Sequence, residues 1–235
     1  MKKLFSATIA ATLALSALTF GADAQAQAQA PAQGAAAPAK AGDAAAGQKK
    51  NAMCIGCHGI VGYQSSFPEI YKVPKISGQN AKYLAAALTA YKKGERKHPS
   101  MRAIAESLTE QDILDLAAFY ETQGGPHAEL PAEPQPAPSG AVAELLTKGN
   151  CAACHGANFS KPIDASYPKL AGQHADYLYY ALKAYKTDNH ALVGRGNAIM
   201  ATQAKPYSTA ELKEMAGYIA TLPTDLKTIP QSKFK

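Results

Sequence analysis

The block Cys54-Ile55-Gly56-Cys57-His58-Gly59 returns as Cys151-Ala152-Ala153-Cys154-His155-Gly156, and it returns inside a longer repeat. PKISGQNAKYLAAALTAYK, starting at Pro74, is matched by PKLAGQHADYLYYALKAYK, starting at Pro168, and a third match relates Thr109 to Thr122 with Ser208 to Thr221. Order and spacing are kept. The chain therefore uses one module twice, and any fold for it must give two copies of each motif equivalent environments.

Both copies read as helical. Leu84, Ala87, Leu88 and Tyr91 fall at i, i+3, i+4 and i+7, as do Leu178, Ala181, Leu182 and Tyr185, which marks one apolar helix face. The last segment of each copy opens on a hydroxyl-then-acid cap, Thr109 with Asp112 and Ser208 with Glu211. Its buried stripe is Ile113, Leu116, Ala117 and Tyr120 in one copy, and Leu212, Met215, Ala216 and Ile219 in the other. A first helix is expected to run from about Asp43, and from about Ala141, into each cysteine motif. No alternating run of β-branched residues announces a sheet, so the expected class is all-α.

Outside the repeats the chain changes character. A cationic start (Lys2, Lys3), an apolar and small-residue run from Leu4 to Phe20, and the cleavage-site pattern Ala22-Asp23-Ala24 make residues 1–24 a secretory signal peptide, cut after about Ala24. The run is too short and too rich in alanine and threonine for a transmembrane helix. Residues 25–46 form an Ala/Gln/Pro-rich tail and residues 126–140 a Pro-rich linker, both too poor in bulky apolar side chains to fold alone. The modules then occupy residues 47–125 and 141–235.

The chemistry lies in C-x-x-C-H. Two cysteines three apart sit on one helical turn, where both reach one edge of a porphyrin, and the adjacent histidine turns its ring to the iron; the spacing reads as covalent attachment of haem c. Cys54, Cys57, Cys151 and Cys154 would tether two haems, with His58 and His155 as axial ligands. A local disulfide would not need a histidine in both copies. A thioredoxin-like redox pair expects a strand-helix context, and a zinc site expects wider Cys–His spacing.

Each iron then needs a sixth ligand or an open position. His58 precedes Met101 by 43 residues and His155 precedes Met200 by 45, so the two methionines hold equivalent places before the last helix. Met215 falls on a buried stripe and Met53 abuts its own haem motif. His98 is the rival in the first module, although Asn197 stands at its counterpart. His127 lies in the linker, His190 has no counterpart in the first copy, and His174 and His98 read most simply as solvated or packed side chains. Met101 and Met200 are therefore the expected ligands. His–Met coordination fills both axial positions, which favours a one-electron carrier over substrate chemistry, and no nucleophile–base or carboxylate pair appears elsewhere.

Two CxxCH modules, P-K-[IL]-x-G-Q leading into a Tyr- and Leu-rich helix, a methionine loop and a capped final helix together resemble the dihaem cytochrome c-four family, across nearly all of the chain after the tail. The resemblance implies two tandem class I cytochrome c domains, each a small helical bundle around a covalently bound haem. It also implies that the carbonyls of Pro74 and Pro168 accept the ring protons of His58 and His155; the alternative is that these prolines only start a helix. The implied role is not that of an enzyme. It is electron transport in the periplasm, from a quinol–cytochrome c reductase to a terminal oxidase, as a monomer or weak dimer with peripheral membrane association. An electron-accepting subunit of a dehydrogenase complex, such as flavocytochrome sulfide dehydrogenase, is the alternative.

The net charge of +6 would by itself suggest nucleic acid as a partner. Loss of the signal peptide takes away Lys2, Lys3 and Asp23 and leaves +5, which the four carboxylates of two haems bring close to neutral, so no nucleic acid is expected. Lys92, Lys93, Arg96 and Lys97 form a local basic patch, either a docking surface for acidic redox partners or a solvated helix end.

Overall fold

The computed structural model describes residues 40–123, 125 and 129–231; the signal-peptide reading, most of the tail and His127 lie outside them. The first module runs α1 (Ala44–Lys50), α2 (Ala52–His58), β1 (Gln64–Ser65), β2 (Tyr71–Lys72), α3 (Ala81–Lys93), β3 (Arg96–Lys97), α4 (Pro99–Glu106) and α5 (Glu110–Thr122). The second runs α6 (Gly140–Lys148), α7 (Ala152–His155), α8 (Ala175–Ala184), β4 (Gly194–Arg195), α9 (Ala198–Ala204) and α10 (Thr209–Thr221). Between them the linker lies along the second module, where Asn158 donates to the Pro131 carbonyl and the Tyr218 hydroxyl to that of Pro136.

The expected single helix into each cysteine motif is broken in both copies. Asn51 separates α1 from α2. Gly149 and Asn150, the latter at φ 46°, separate α6 from α7. Asparagine tolerates this backbone because its short amide bonds locally, and the break lets each cysteine helix turn away from the one before it. The strands are the other departure from an all-helical reading. They are only two residues long and form two antiparallel ladders, β1 with β2 and β3 with β4.

The periodic stripes are the core. Ile113, Leu116, Ala117 and Tyr120 on α5 are buried, as are Leu212, Met215, Ala216 and Ile219 on α10. Each fully buried leucine, Leu116 or Leu212, contributes about 2 kcal/mol by leaving water. Both terminal helices begin in complete capping boxes, with Thr109 and Asp112 or Ser208 and Glu211 satisfying one another's backbone.

The copies differ in how the first helix meets the last. In the first module α1 touches the backbone of α5, where a Cβ on Gly47 would fall 2.1 Å from the Asp115 carbonyl oxygen. Asp115, 3% exposed, accepts from Asp43 N (2.9 Å), Gln111 Nε2 (2.8 Å) and Lys50 Nζ (2.7 Å). The second module has the exposed Glu214 at this position. Its tie is apolar and phenolic instead, with the Tyr207 hydroxyl donating to Leu145 O at 3.0 Å.

The modules meet along a broad seam. Tyr71 of β2 stacks on Tyr180 of α8 with ring centroids 4.3 Å apart. β3 and β4 join the two methionine loops, Arg96 opposite Arg195 and Lys97 opposite Gly194. Lys72–Asp176, Lys82–Asp164 and Lys183–Glu69 are ion pairs across the same boundary.

Candidate haem sites at the module interface

One cavity of about 700 Å³ is lined by Cys54, Cys57, His58, Pro74 and Met101 from the first module and by Cys151, Cys154, His155, Pro168 and Met200 from the second. All ten predicted haem-site residues thus reach the same lining. The four cysteines form no disulfides. Among the described residues no cluster of three or more His, Cys, Asp or Glu could hold a metal ion by itself.

His58 Nδ1 lies 2.9 Å from Pro74 O, and His155 Nδ1 lies 3.1 Å from Pro168 O. A carbonyl only accepts, so each Nδ1 carries the proton and each Nε2 is left with a free lone pair. Burial pushes both rings below the ordinary histidine pKa, against the opposing pull of the proline carbonyls, and keeps them neutral and able to ligate. The prolines start no helix: α3 begins at Ala81 and α8 at Ala175, well past them.

His98, the rival of Met101, is engaged at a helix start. It caps α4, its Nδ1 accepting from Met101 N at 3.4 Å, and Asn197 caps α9 by accepting from Met200 N at 2.9 Å. Equivalent side chains thus fix the backbone of equivalent methionines. Met53 is 58% exposed and Met215 sits in the second core. His174 is the backbone N-cap of α8, and exposed His190 accepts from Leu192 N and Val193 N.

The fold divides the basic patch. Arg96 turns inward, 4.7 Å above the Tyr91 ring, and donates to the hydroxyls of Tyr83 (3.1 Å) and Tyr177 (2.8 Å). Lys92 and Lys97 are spent on the carbonyls of Leu108 and His190, which leaves Lys93 exposed. Arg195, buried, reaches the same Tyr177 hydroxyl at 3.1 Å. Burial would raise the Tyr177 phenol, but Arg195 and Arg96 outweigh it and bring it down to about 8. Sequence reasoning missed this cluster, although a signal existed: Arg96 and Arg195 each stand five residues before a methionine of the repeat.

This lining suits a covalently attached haem. It offers a cysteine pair on each motif helix, a neutral imidazole, a thioether and apolar walls from Leu84, Leu116, Leu178 and Ala216. It also offers cationic groups in want of anions. Among the described residues neither arginine has a carboxylate partner, and Arg96 Nε is sealed from solvent with no acceptor, a cost that haem carboxylates would remove.

A family model described as Cytochrome c matches the chain twice, over residues 39–123 and 140–223. The cytochrome c4 of Thiocapsa roseopersicina is 34% identical over 196 residues, covering 80% of this chain and 96% of that protein. The solved structure of reduced recombinant cytochrome c4 from Pseudomonas stutzeri superposes with a TM-score of 0.58 at 30% identity, over 78% of this chain and 100% of that one. A thiosulfate dehydrogenase electron acceptor from Thiomonas intermedia is 29% identical over 190 residues, 76% of this chain and 82% of that protein.

Proposed function

The chain belongs to the cytochrome c family as a dihaem protein of the cytochrome c4 kind, with two tandem domains and two covalent haem c groups, and from that premise we propose that it carries single electrons through the periplasm from a quinol–cytochrome c reductase to a terminal oxidase. That it is an electron-transfer protein follows from the family itself. The observation that carries the finer reading is the single lining shared by both cysteine motifs and both methionines.

In this reading His58 and Met101 would hold one iron, and His155 and Met200 the other. When bound, each haem supplies a one-electron iron couple. The protein's own work is to hold that couple still. The proline carbonyls fix the tautomer of each histidine. The His98 and Asn197 caps set where each methionine emerges. With a histidine and a methionine at each iron, no coordination site would be left for a substrate, and the thioether would favour the reduced state. Exposed Ile60 and Val61 follow the first cysteine motif and give a partner an apolar surface beside it.

The likeness to the thiosulfate dehydrogenase electron acceptor supports a second reading, in which the donor is a dehydrogenase. Stopped-flow mixing of the oxidised protein with purified quinol–cytochrome c reductase, and of the reduced protein with a terminal oxidase, separates the two. Fast exchange with both is expected, whereas inert behaviour towards the reductase would overturn the respiratory assignment. The ligand set is tested by Met200→Ala, expected to leave one low-spin His–Met haem and create one high-spin or water-ligated haem by magnetic circular dichroism. Two unchanged low-spin haems would refute it.

A further inference from the structure

The glutamine of each P-K-x-x-G-Q segment reaches into the other module, while its Oε1 also accepts from the next N–H of its own chain segment, Asn80 or His174. Gln79 is 3% exposed; its Nε2 donates to Lys169 O at 3.0 Å and its Oε1 accepts from Lys169 N at 2.9 Å. Gln173 is 4% exposed and does the same to Lys75, donating to its carbonyl at 2.9 Å and accepting from its N–H at 3.0 Å. Gly78 and Gly172, at φ 83° and 64°, supply the left-handed turns that send these side chains across the seam.

The residues held are not arbitrary. The N–H of Lys75 and the C=O of Pro74 belong to one peptide group, and so do the N–H of Lys169 and the C=O of Pro168. On one side that peptide accepts from a haem-motif histidine; on the other it donates to the glutamine of the opposite module. Hydrogen bonds in such a chain polarise one another: an oxygen pulling on the Lys75 N–H makes the Pro74 carbonyl a stronger acceptor. A stronger acceptor increases the electron donation of His58 and stabilises ferric iron.

We infer that Gln173 and Gln79 are crossed positioning residues, each setting the proximal hydrogen bond, and with it the reduction potential, of the haem in the module to which it does not belong. The inference rests on His58 and His155 being the iron ligands. Removing a glutamine weakens the acceptor, reduces donation from the ring and favours ferrous iron.

The test is spectroelectrochemistry of holoprotein Gln173→Leu and Gln79→Leu, with haem-methyl magnetic resonance signals assigned to each module. Gln173→Leu is expected to raise the potential of the first-module haem alone, and Gln79→Leu that of the second-module haem alone. Lys82→Ala, which cuts a cross-module ion pair without touching either peptide, serves as the control and is expected to shift neither. Equal shifts at both haems, a shift in the glutamine's own module, no shift, or a Lys82→Ala result matching the glutamine variants each overturns the inference. Failure of the underlying reading is separate, because it appears in the unsubstituted protein as spectra other than His–Met.

Discussion

Asp115 ties the first helix of the first module to its last. Asp115→Asn keeps the shape of the side chain but removes its charge and turns one acceptor oxygen into a donor facing the three donors of Asp43, Gln111 and Lys50. Lys50 retains Asp112 at 2.6 Å, so the lysine is not stranded. The loss is one charge-assisted bond and the weakening of the rest. At about 1.5–3 kcal/mol for a hydrogen bond to a charged group, the cost is about 2–3 kcal/mol. A domain of this size loses roughly 4–8 °C of melting temperature per kcal/mol, so the first module should melt about 10–20 °C lower. The second module, with exposed Glu214 at this position, should not move. Thermal unfolding of the oxidised holoprotein, followed by Soret circular dichroism and by loss of the methionine–iron band, separates the two. An unchanged melt, or two modules falling together, would refute the reasoning. Acid adds a second readout. Lys50 and Thr109 hold the Asp112 carboxyl down at about 2, and Lys50, Asp43 N–H and Gln111 outweigh burial to lower that of Asp115. Carboxyls lowered by folding stabilise the protein above their unfolded value of about 4, and that contribution is lost as pH falls from there towards 2. Asp115→Asn should therefore flatten the acid dependence of the first module.

Two further outcomes follow from the site. Arg195→Gln is expected to lower both reduction potentials, because a buried cation disfavours ferric iron and this one shares the Tyr177 hydroxyl with Arg96; a redox titration that matches the unsubstituted protein would show the charge to be without effect on either iron. His98→Asn copies the cap that Asn197 already provides in the second module. It should leave the spectrum and melting temperature of the first module nearly unchanged, and a change of axial ligand in magnetic circular dichroism would mean that His98, not Met101, binds the iron.

Much of this was legible in the sequence because it is local. The capping boxes, the buried stripes on α5 and α10 and the two cysteine motifs depend on spacings of three or four residues, which helix geometry imposes wherever the segment folds. The equivalent places of Met101 and Met200 were visible because the repeat supplied a second copy to align. Even locally the reading stopped short where a single asparagine, Asn51 or Asn150, ended one helix and began another. The capping role of His98 was likewise hidden, because only the folded turn shows its Nδ1 accepting from the Met101 N–H.

The sequence by itself determined that two helical modules would each carry a haem-binding motif, since periodicity and motif spacing are properties of a short stretch of chain. Only the tertiary structure decided what joins them. Gln173 meets Lys75 across 98 residues and Gln79 meets Lys169 across 90, while Arg96 and Tyr177 are 81 apart. Polar pairs at such separations leave no period in the sequence, because their partners are chosen by how two folded surfaces pack and not by the pitch of either helix.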